Sequence, residues 1–325
     1  MSETQSFDSL TVIIPTYNRR DTLAKALAGY MAQSLPALIQ ELLVVDDGST
    51  DDTELVVRRF SDKAPFQVRY LPQSNKGPAA ARNLGIREAR SNLVLFTDSD
   101  IIPDRTLVEQ HIGWHRRNPQ RTTAVLGYVT WAPAVEPTPF MQWYGDAEGK
   151  LFAYGQLQGG QEVNFRFFYT CNLSLKTDFL RSFGQFDEDF KAAAFEDIEL
   201  GYRLSKQGLR TLYNPAAVGY HHQFVSFEAA CRKEREKEPA ARLFIQKECG
   251  KQMAAERSPR VGIGSPTAKS AVRRIAVALT RALAPIRPLL NSNVPLPSFI
   301  YELFFWYDVN HSGSANREIN SSYGD

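Results

Sequence analysis

Two acidic pairs carry the most chemistry in this sequence: Asp98-Ser99-Asp100, which closes an apolar run, and Glu196-Asp197, which opens a segment of helical pattern. Two like charges at a strand end repel unless water or a cation screens them. Magnesium and manganese are commonly shared between one or two protein carboxylates and the phosphates of a substrate, so the first pair suits a divalent metal. A carboxylate of the second kind can take the proton of a hydroxyl, which is a poor nucleophile until that proton leaves. A third pair, Asp46-Asp47, heads the run DDGST. Each pair also has a structural use, as an Asp-rich turn, as the acidic first turn of a helix, or as a turn and helix cap. No GxGxxG follows the first apolar run and no GxxxxGK[ST] loop occurs anywhere, so a dinucleotide oxidoreductase of the usual kind loses its main support. A nucleotide would be held by carboxylates and a few arginines, which suits base and ribose hydrogen bonding together with a cation on the phosphates.

These groups need a scaffold that brings them together. From Leu10 to about Thr130, short runs rich in β-branched residues alternate with longer helical patterns, the order of βαβ units around a mostly parallel sheet. Strands are predicted at Leu10–Ile14, Glu41–Asp46, Gln67–Leu71, Asn92–Thr97 and Thr123–Thr130, with helices at Asp21–Ala32, Asp51–Phe60, Gly77–Ala89 and Arg105–Arg117. Thr16, Tyr17, Asn18, Asp46, Asp47, Asp98 and Asp100 then all fall at strand ends, where open α/β sheets bind ligands. Regular structure resumes at Thr170–Lys176, with helices near Asp178–Phe183 and Glu196–Gln207 and a strand-like stretch ending at His221 and His222. His111 and His115, on a helix surface, read as ordinary solvated residues.

The whole chain has 325 residues, 43% hydrophobic, with 38 basic and 36 acidic side chains and a net charge of +2. That is enough for one large core or two smaller ones, and too balanced a charge for a bulk nucleic-acid binder. Three cysteines without CxxC spacing favour a reduced, cytoplasmic compartment over a disulfide framework. No basic-then-apolar leader and no apolar run of spanning length is present, so the expected state is soluble or peripheral.

Five segments, TVIIPTYNR (11–19), LVVDDGST (43–50), NKGPAAARNLG (75–85), FTDSDIIPD (96–104) and FEDIELGYRL (195–204), resemble family 2 glycosyltransferases of the GT-A fold, in that family's order and over roughly residues 10–222. The resemblance implies an inverting, metal-assisted transfer of a sugar from a nucleotide-diphosphate donor, preferably a UDP-sugar, to a saccharide or lipid-linked hydroxyl. Pro15, Thr16 and Tyr17 would line the base pocket, Asp46 or Asp47 would bond the base, and Arg19 and Arg82 would face the diphosphate. Asp98, with Ser99 beside it, would meet ribose or metal, and Asp100 would ligate Mn2+ or Mg2+. Asp197 would be the base with Glu196 orienting the acceptor or an arginine, and either His221 or His222 would add a metal ligand. A metal-dependent nucleotidyltransferase and a non-catalytic sugar-binding scaffold are the rivals. The first lacks its usual Gly-rich, basic loop here, and the second does not need the carboxylate set.

Residues 1–225 are read as the GT-A part and 226–325 as a helical extension. Within the former, 131–168 break the α/β pattern with prolines, glycines and aromatics, and Trp131, Trp143, Tyr144 and Tyr154 are the expected acceptor platform. A charged helical pattern covers Ser226–Cys249, and a Pro/Gly/Ser-marked linker follows at Ser258–Pro266. Residues 257–290 hold Arg257, Arg260, Lys269, Arg273, Arg274, Arg281 and Arg287 with no acidic residue. That stretch is either an amphipathic helix packing its apolar face on the protein or a contact for an anionic membrane surface.

Overall fold

The first strand shows how the sheet is made. In β1 (Leu10–Thr16), Val12 and Ile14 enter one hydrophobic cluster and Ile13 another, because successive side chains point to opposite faces. A strand apolar on both faces must lie between two layers. The computed structural model, which describes residues 8–145, 151–256 and 266–319, gives that sandwich.

After β1 the chain runs through α1 (Arg20–Met31), β2 (Ile39–Asp46), α2 (Thr53–Ser61), β3 (Gln67–Pro72), α3 (Pro78–Glu88), β4 (Leu93–Thr97), β5 (Ile101–Pro103), α4 (Leu107–Arg117) and β6 (Thr123–Trp131). Then come α5 (Pro139–Gly145), β7 (Glu162–Val163), β8 (Asn172–Lys176), α6 (Thr177–Phe183), α7 (Glu196–Lys206) and β9 (Arg210–His221). The sheet order is β3-β2-β1-β4-β8-β6-β9-β5, with β7 beside β9. The first four strands run parallel, as do β6 and β9. β8 is antiparallel to both β4 and β6, and the short β5 and β7 are antiparallel to β9. β5 was too short to show in the apolar pattern, yet its pairing of Ile101 with His221 joins two distant motifs.

His111 and His115 depart from their expected solvation, for both are fully buried. They share the face of α4 that carries Val108 and Ile112, a spacing that points all four at the sheet. There His111 bonds Ser174 and Asn172 at 2.8 Å, and His115 bonds Ser174 at 2.8 Å and the buried Lys176 ammonium at 2.7 Å. Burial drives the Lys176 pKa down to about 7 and that of His111 down to about 4.

The segment 226–249 folds as α8 (Phe227–Glu236), α9 (Glu238–Gln246) and the start of α10 (Glu248–Glu256). Pro239 restarts α9 within its first turn, and Lys247 is extended between α9 and α10. α11 (Pro266–Ala282) and α12 (Ser298–Ile319) follow, while Arg257, Arg260 and the linker stretch 258–265 lie outside the described residues. Phe227 of α8 and Tyr301, Phe304 and Phe305 of α12 share one hydrophobic cluster with Phe140, Tyr144 and the sheet. No helix of the described residues is long and apolar enough to cross a membrane.

Candidate functional site

The ends of β1, β2 and β4 open into a crevice of about 470 Å³. Its walls include Pro15, Thr16, Tyr17, Arg19, Asp47, Arg82, Asp98, Ser99 and Asp100, so these residues, spread over 86 positions of sequence, are brought together. Asp46 is absent from the lining. Its Oδ1 accepts from Ser49 N and Oγ at 2.9 and 2.6 Å, and its Oδ2 accepts from Tyr70 Oη at 2.5 Å. Asp46 therefore holds the DDGST turn closed. Asn18, in the left-handed region, straps that turn to β1 by accepting from Thr50 N at 2.7 Å. Asp47 does face the crevice, with its oxygens accepting from Gln73 Nε2, Lys76 N and Gly77 N at 2.7–2.9 Å. Gly77 has φ +95 and a Cβ there would lie 2.9 Å from the Lys191 carbonyl, so this backbone approach requires glycine.

Arg82 is buried between two carboxylates. Its Nη1 donates to Glu196 Oε1 at 2.8 Å and its Nη2 to Asp98 Oδ1 at 2.9 Å. The expected approach to a diphosphate is thus preceded by a structural role: Arg82 ties α3, β4 and α7 into one unit. Phe195, just before Glu196, is held at φ +69, a strained conformation for a bulky residue that sets how the acidic pair enters the site. Burial pushes the carboxyl pKa of both Glu196 and Asp197 upward; for Glu196 the neighbouring Asp197 adds to this, while the positive charge of Arg82 opposes it for both.

At the Asp100 end of the crevice, Arg19 Nη1 lies 3.3 Å from Asp100 Oδ2, and His221 Nε2 lies 3.7 Å from the same oxygen. The two histidines separate here. His221 is the residue paired with Ile101, one position from Asp100, whereas the His222 ring is 3.4 Å from Lys25 Nζ on α1. Burial lowers the His221 pKa, with Asp100 opposing and the charge of Lys233 adding to the shift. Among the described residues no group of three or more His, Cys, Asp and Glu side chains that could hold a metal ion occurs. Asp98 and Asp100 line the crevice and His221 lies beside Asp100, so a magnesium or manganese ion there would draw on one or two protein ligands and complete its shell with phosphate and water. Thr16 Oγ1, Arg82 Nε, Glu196 Oε2 and His221 Nδ1 are buried polar atoms without a partner among the described residues, and all belong to this neighbourhood.

A second cavity of about 460 Å³ adjoins the crevice across Arg82, Asp98, Ala193 and Lys233. Asp197 and Glu196 line it, with His221, Phe152, Tyr154, Tyr169, Lys233 and Glu234 from α8, and Lys237 just past the end of α8. Of the four expected acceptor aromatics only Tyr154 does so. Trp131 stands behind the wall, edge-on to His221 and donating to the Met141 carbonyl at 2.9 Å. Trp143 and Tyr144 turn away, packed on Phe140, Tyr301 and Phe305, because α5 buries its aromatic face against α12. Residues 146–150 of this segment lie outside the described residues. The contribution of α8 had no motif in the sequence; its only signal was a charged helical pattern that begins just after His221 and His222.

The Glycosyl transferase family 2 profile matches residues 11–144. Validoxylamine A glucosyltransferase of Streptomyces hygroscopicus subsp. jinggangensis is 34% identical over 224 residues, covering 62% of this chain and 52% of that one. Chondroitin synthase of Escherichia coli is 28% identical over 242 residues, covering 66% and 35%. The chain thus spans about half the length, or less, of these curated relatives. Two solved structures share the fold. One is S. aureus TarS 1-349 in complex with UDP-GlcNAc, with TM-score 0.51, 22% identity and coverage of 74% and 67%. The other is the mannosyltransferase PcManGT of Pyrobaculum calidifontis with GDP-Man and Mn2+, with TM-score 0.55, 19% identity and coverage of 92% and 86%. The crevice at the strand ends, the ordered motifs and the relatives all accord with the Glycosyl transferase family 2 profile, whose match is carried by residues 11–144.

Proposed function

We propose that the chain transfers a sugar from a nucleotide-diphosphate donor to a hydroxyl acceptor with inversion at the anomeric carbon. The observation that carries this reading is the adjoining pair of cavities: nucleotide-type residues line one, the acidic pair lines the other, and Arg82 and Asp98 form their common wall. Pro15, Thr16, Tyr17 and Asp47 hold the base and ribose side, and the donor sugar lies at the shared wall. Asp197 takes the proton of the acceptor hydroxyl as it attacks from the second cavity, and its raised pKa makes it a stronger base than a solvated carboxylate. Glu196 keeps Arg82 in place and, through it, Asp98. Asp98, Asp100 and His221 would hold a divalent cation, which supplies positive charge for the departing diphosphate. A UDP-sugar is the preferred donor, with GDP- and dTDP-sugars as alternatives. The acceptor is a saccharide or lipid-linked hydroxyl whose apolar ring faces pack on Phe152, Tyr154 and Tyr169.

The test is nucleoside diphosphate release from a panel of UDP-, GDP- and dTDP-sugars with manganese or magnesium, with and without chelator. Metal-dependent release supports the reading. Pyrophosphate release from nucleoside triphosphate and sugar phosphate would instead establish a nucleotidyltransferase, and binding without turnover over any acceptor a scaffold.

The C-terminal helix supports an anionic membrane surface on the cytoplasmic side as a further partner, and the three free cysteines accord with that reducing compartment. On α11, Thr280 faces the protein, while Ile275, Ala278, Leu279 and Ala282 face outward, flanked by exposed Arg274 and Arg281. An apolar ridge with a basic flank suits an anionic bilayer. Cosedimentation with anionic but not neutral vesicles, lost in Ile275→Ser with Leu279→Ser, is expected; equal recovery from both vesicle types, or none, rejects this partner.

A further inference from the structure

The donor crevice is lined by four cationic side chains, Arg19, Arg82, Lys191 and Lys233, and they are not equivalent. Arg82 is buried with both terminal nitrogens on carboxylates of the chain, so a phosphate would have to displace bonds already made. Arg19 is held at Asp100. The lysines are exposed, and among the described residues neither ammonium makes a hydrogen bond or ion pair. Lys191 lies in the segment whose backbone covers Gly77 at the start of α3, and it lines the donor crevice alone. Lys233 comes from α8, far beyond the residues matched by the family profile, and it lines both cavities at their common wall.

On the donor reading above, that wall is where the bond between sugar and diphosphate breaks. We propose that Lys191 and Lys233 are the cations that meet the donor's diphosphate, Lys191 as a binding contact and Lys233 also at the oxygen on which charge grows as the bond breaks. A cation aimed at developing charge accelerates the step more than it tightens the ground state, so the two lysines divide between affinity and rate. The helical extension is on this account part of the catalytic site.

The test uses the full chain with Lys191→Gln, Lys233→Gln and Lys233→Arg, checked for unchanged circular dichroism and thermal unfolding. Calorimetry with UDP and GDP in manganese, and with uridine and guanosine, separates phosphate contacts from base contacts. Each Gln variant is expected to bind the diphosphate about tenfold more weakly, as for a lost charge-assisted hydrogen bond, with nucleoside binding unchanged. Lys233→Gln additionally lowers the saturated rate of metal-dependent donor hydrolysis, and Lys233→Arg restores part of it; Lys191→Gln moves KM alone. Equal losses for nucleoside and diphosphate, or full diphosphate affinity in both Gln variants, overturns this inference while leaving the donor reading intact. A wild-type protein that binds neither diphosphate overturns the donor reading and this inference with it.

Discussion

The donor crevice and the second cavity share a wall, yet they are built in opposite ways. The crevice is centred on the ends of β1, β2 and β4, three neighbouring parallel strands that deliver their motifs to it, with the start of α3 and Lys191 and Lys233 completing the lining. The cavity is assembled from β6, the segment after α5, the start of α7, the end of β9 and one face of α8. Local chemistry fixes the first; tertiary packing fixes the second. On the proposed function, nucleotide recognition then rests mainly on strand-end turns, and acceptor recognition on a surface that includes α8.

That contrast can be broken most forcefully at Asp197. Asp197→Asn should keep nucleotide affinity within about twofold and lower transfer by about 10²–10⁴, the range for a removed general base. Loss of nucleotide binding with the rate kept at saturation would move Asp197 to the donor side. A related sign follows from its raised pKa: activity should fall as pH drops through a range above that of a solvated Asp, because only the ionised carboxylate accepts the proton.

Next in size is the histidine pair. His221→Ala should weaken manganese-dependent nucleotide binding by about tenfold or more, whereas His222→Ala, whose ring is beside Lys25 rather than Asp100, should change it by less than about twofold. Equal effects would contradict the register that pairs His221 with Ile101.

The aromatics sharpen the other side. Tyr154→Phe and Tyr154→Ala should raise the acceptor KM with little change in donor hydrolysis, since Tyr154 lines the cavity. Trp143→Ala should instead destabilise the fold by about 1–3 kcal/mol, less than for a fully buried aromatic because Trp143 is only partly buried, and leave acceptor KM unchanged in the folded fraction. Denaturant unfolding and acceptor titration together separate these outcomes.

The same contrast explains what the sequence made legible. Apart from the short β5, the strands and helices from Leu10 to Trp131 could be placed because each buried strand is a continuous apolar run and each helix begins near a polar turn. Asp98, Asp100, Asp197 and Arg82 could be named, but not that Arg82 is spent on Glu196 and Asp98, because that pairing joins residues 114 positions apart. Trp143 and Tyr144 looked like a sugar platform since aromatic rings serve burial and binding alike, and only α12 shows which use applies. His111 and His115 looked solvated because the polar partners that bury them, Ser174, Asn172 and Lys176, come from an antiparallel strand.

The central claim is that one crevice holds the nucleotide while the cavity across Arg82 and Asp98 holds the acceptor. A crystal structure with a nucleoside diphosphate and manganese bound tests it most directly. The account predicts the base beside Tyr17 and Asp47, the metal at Asp100 and His221, and the terminal phosphate at the wall that faces Asp197. Nucleotide density in the second cavity, or a metal ligated away from Asp100, would contradict it.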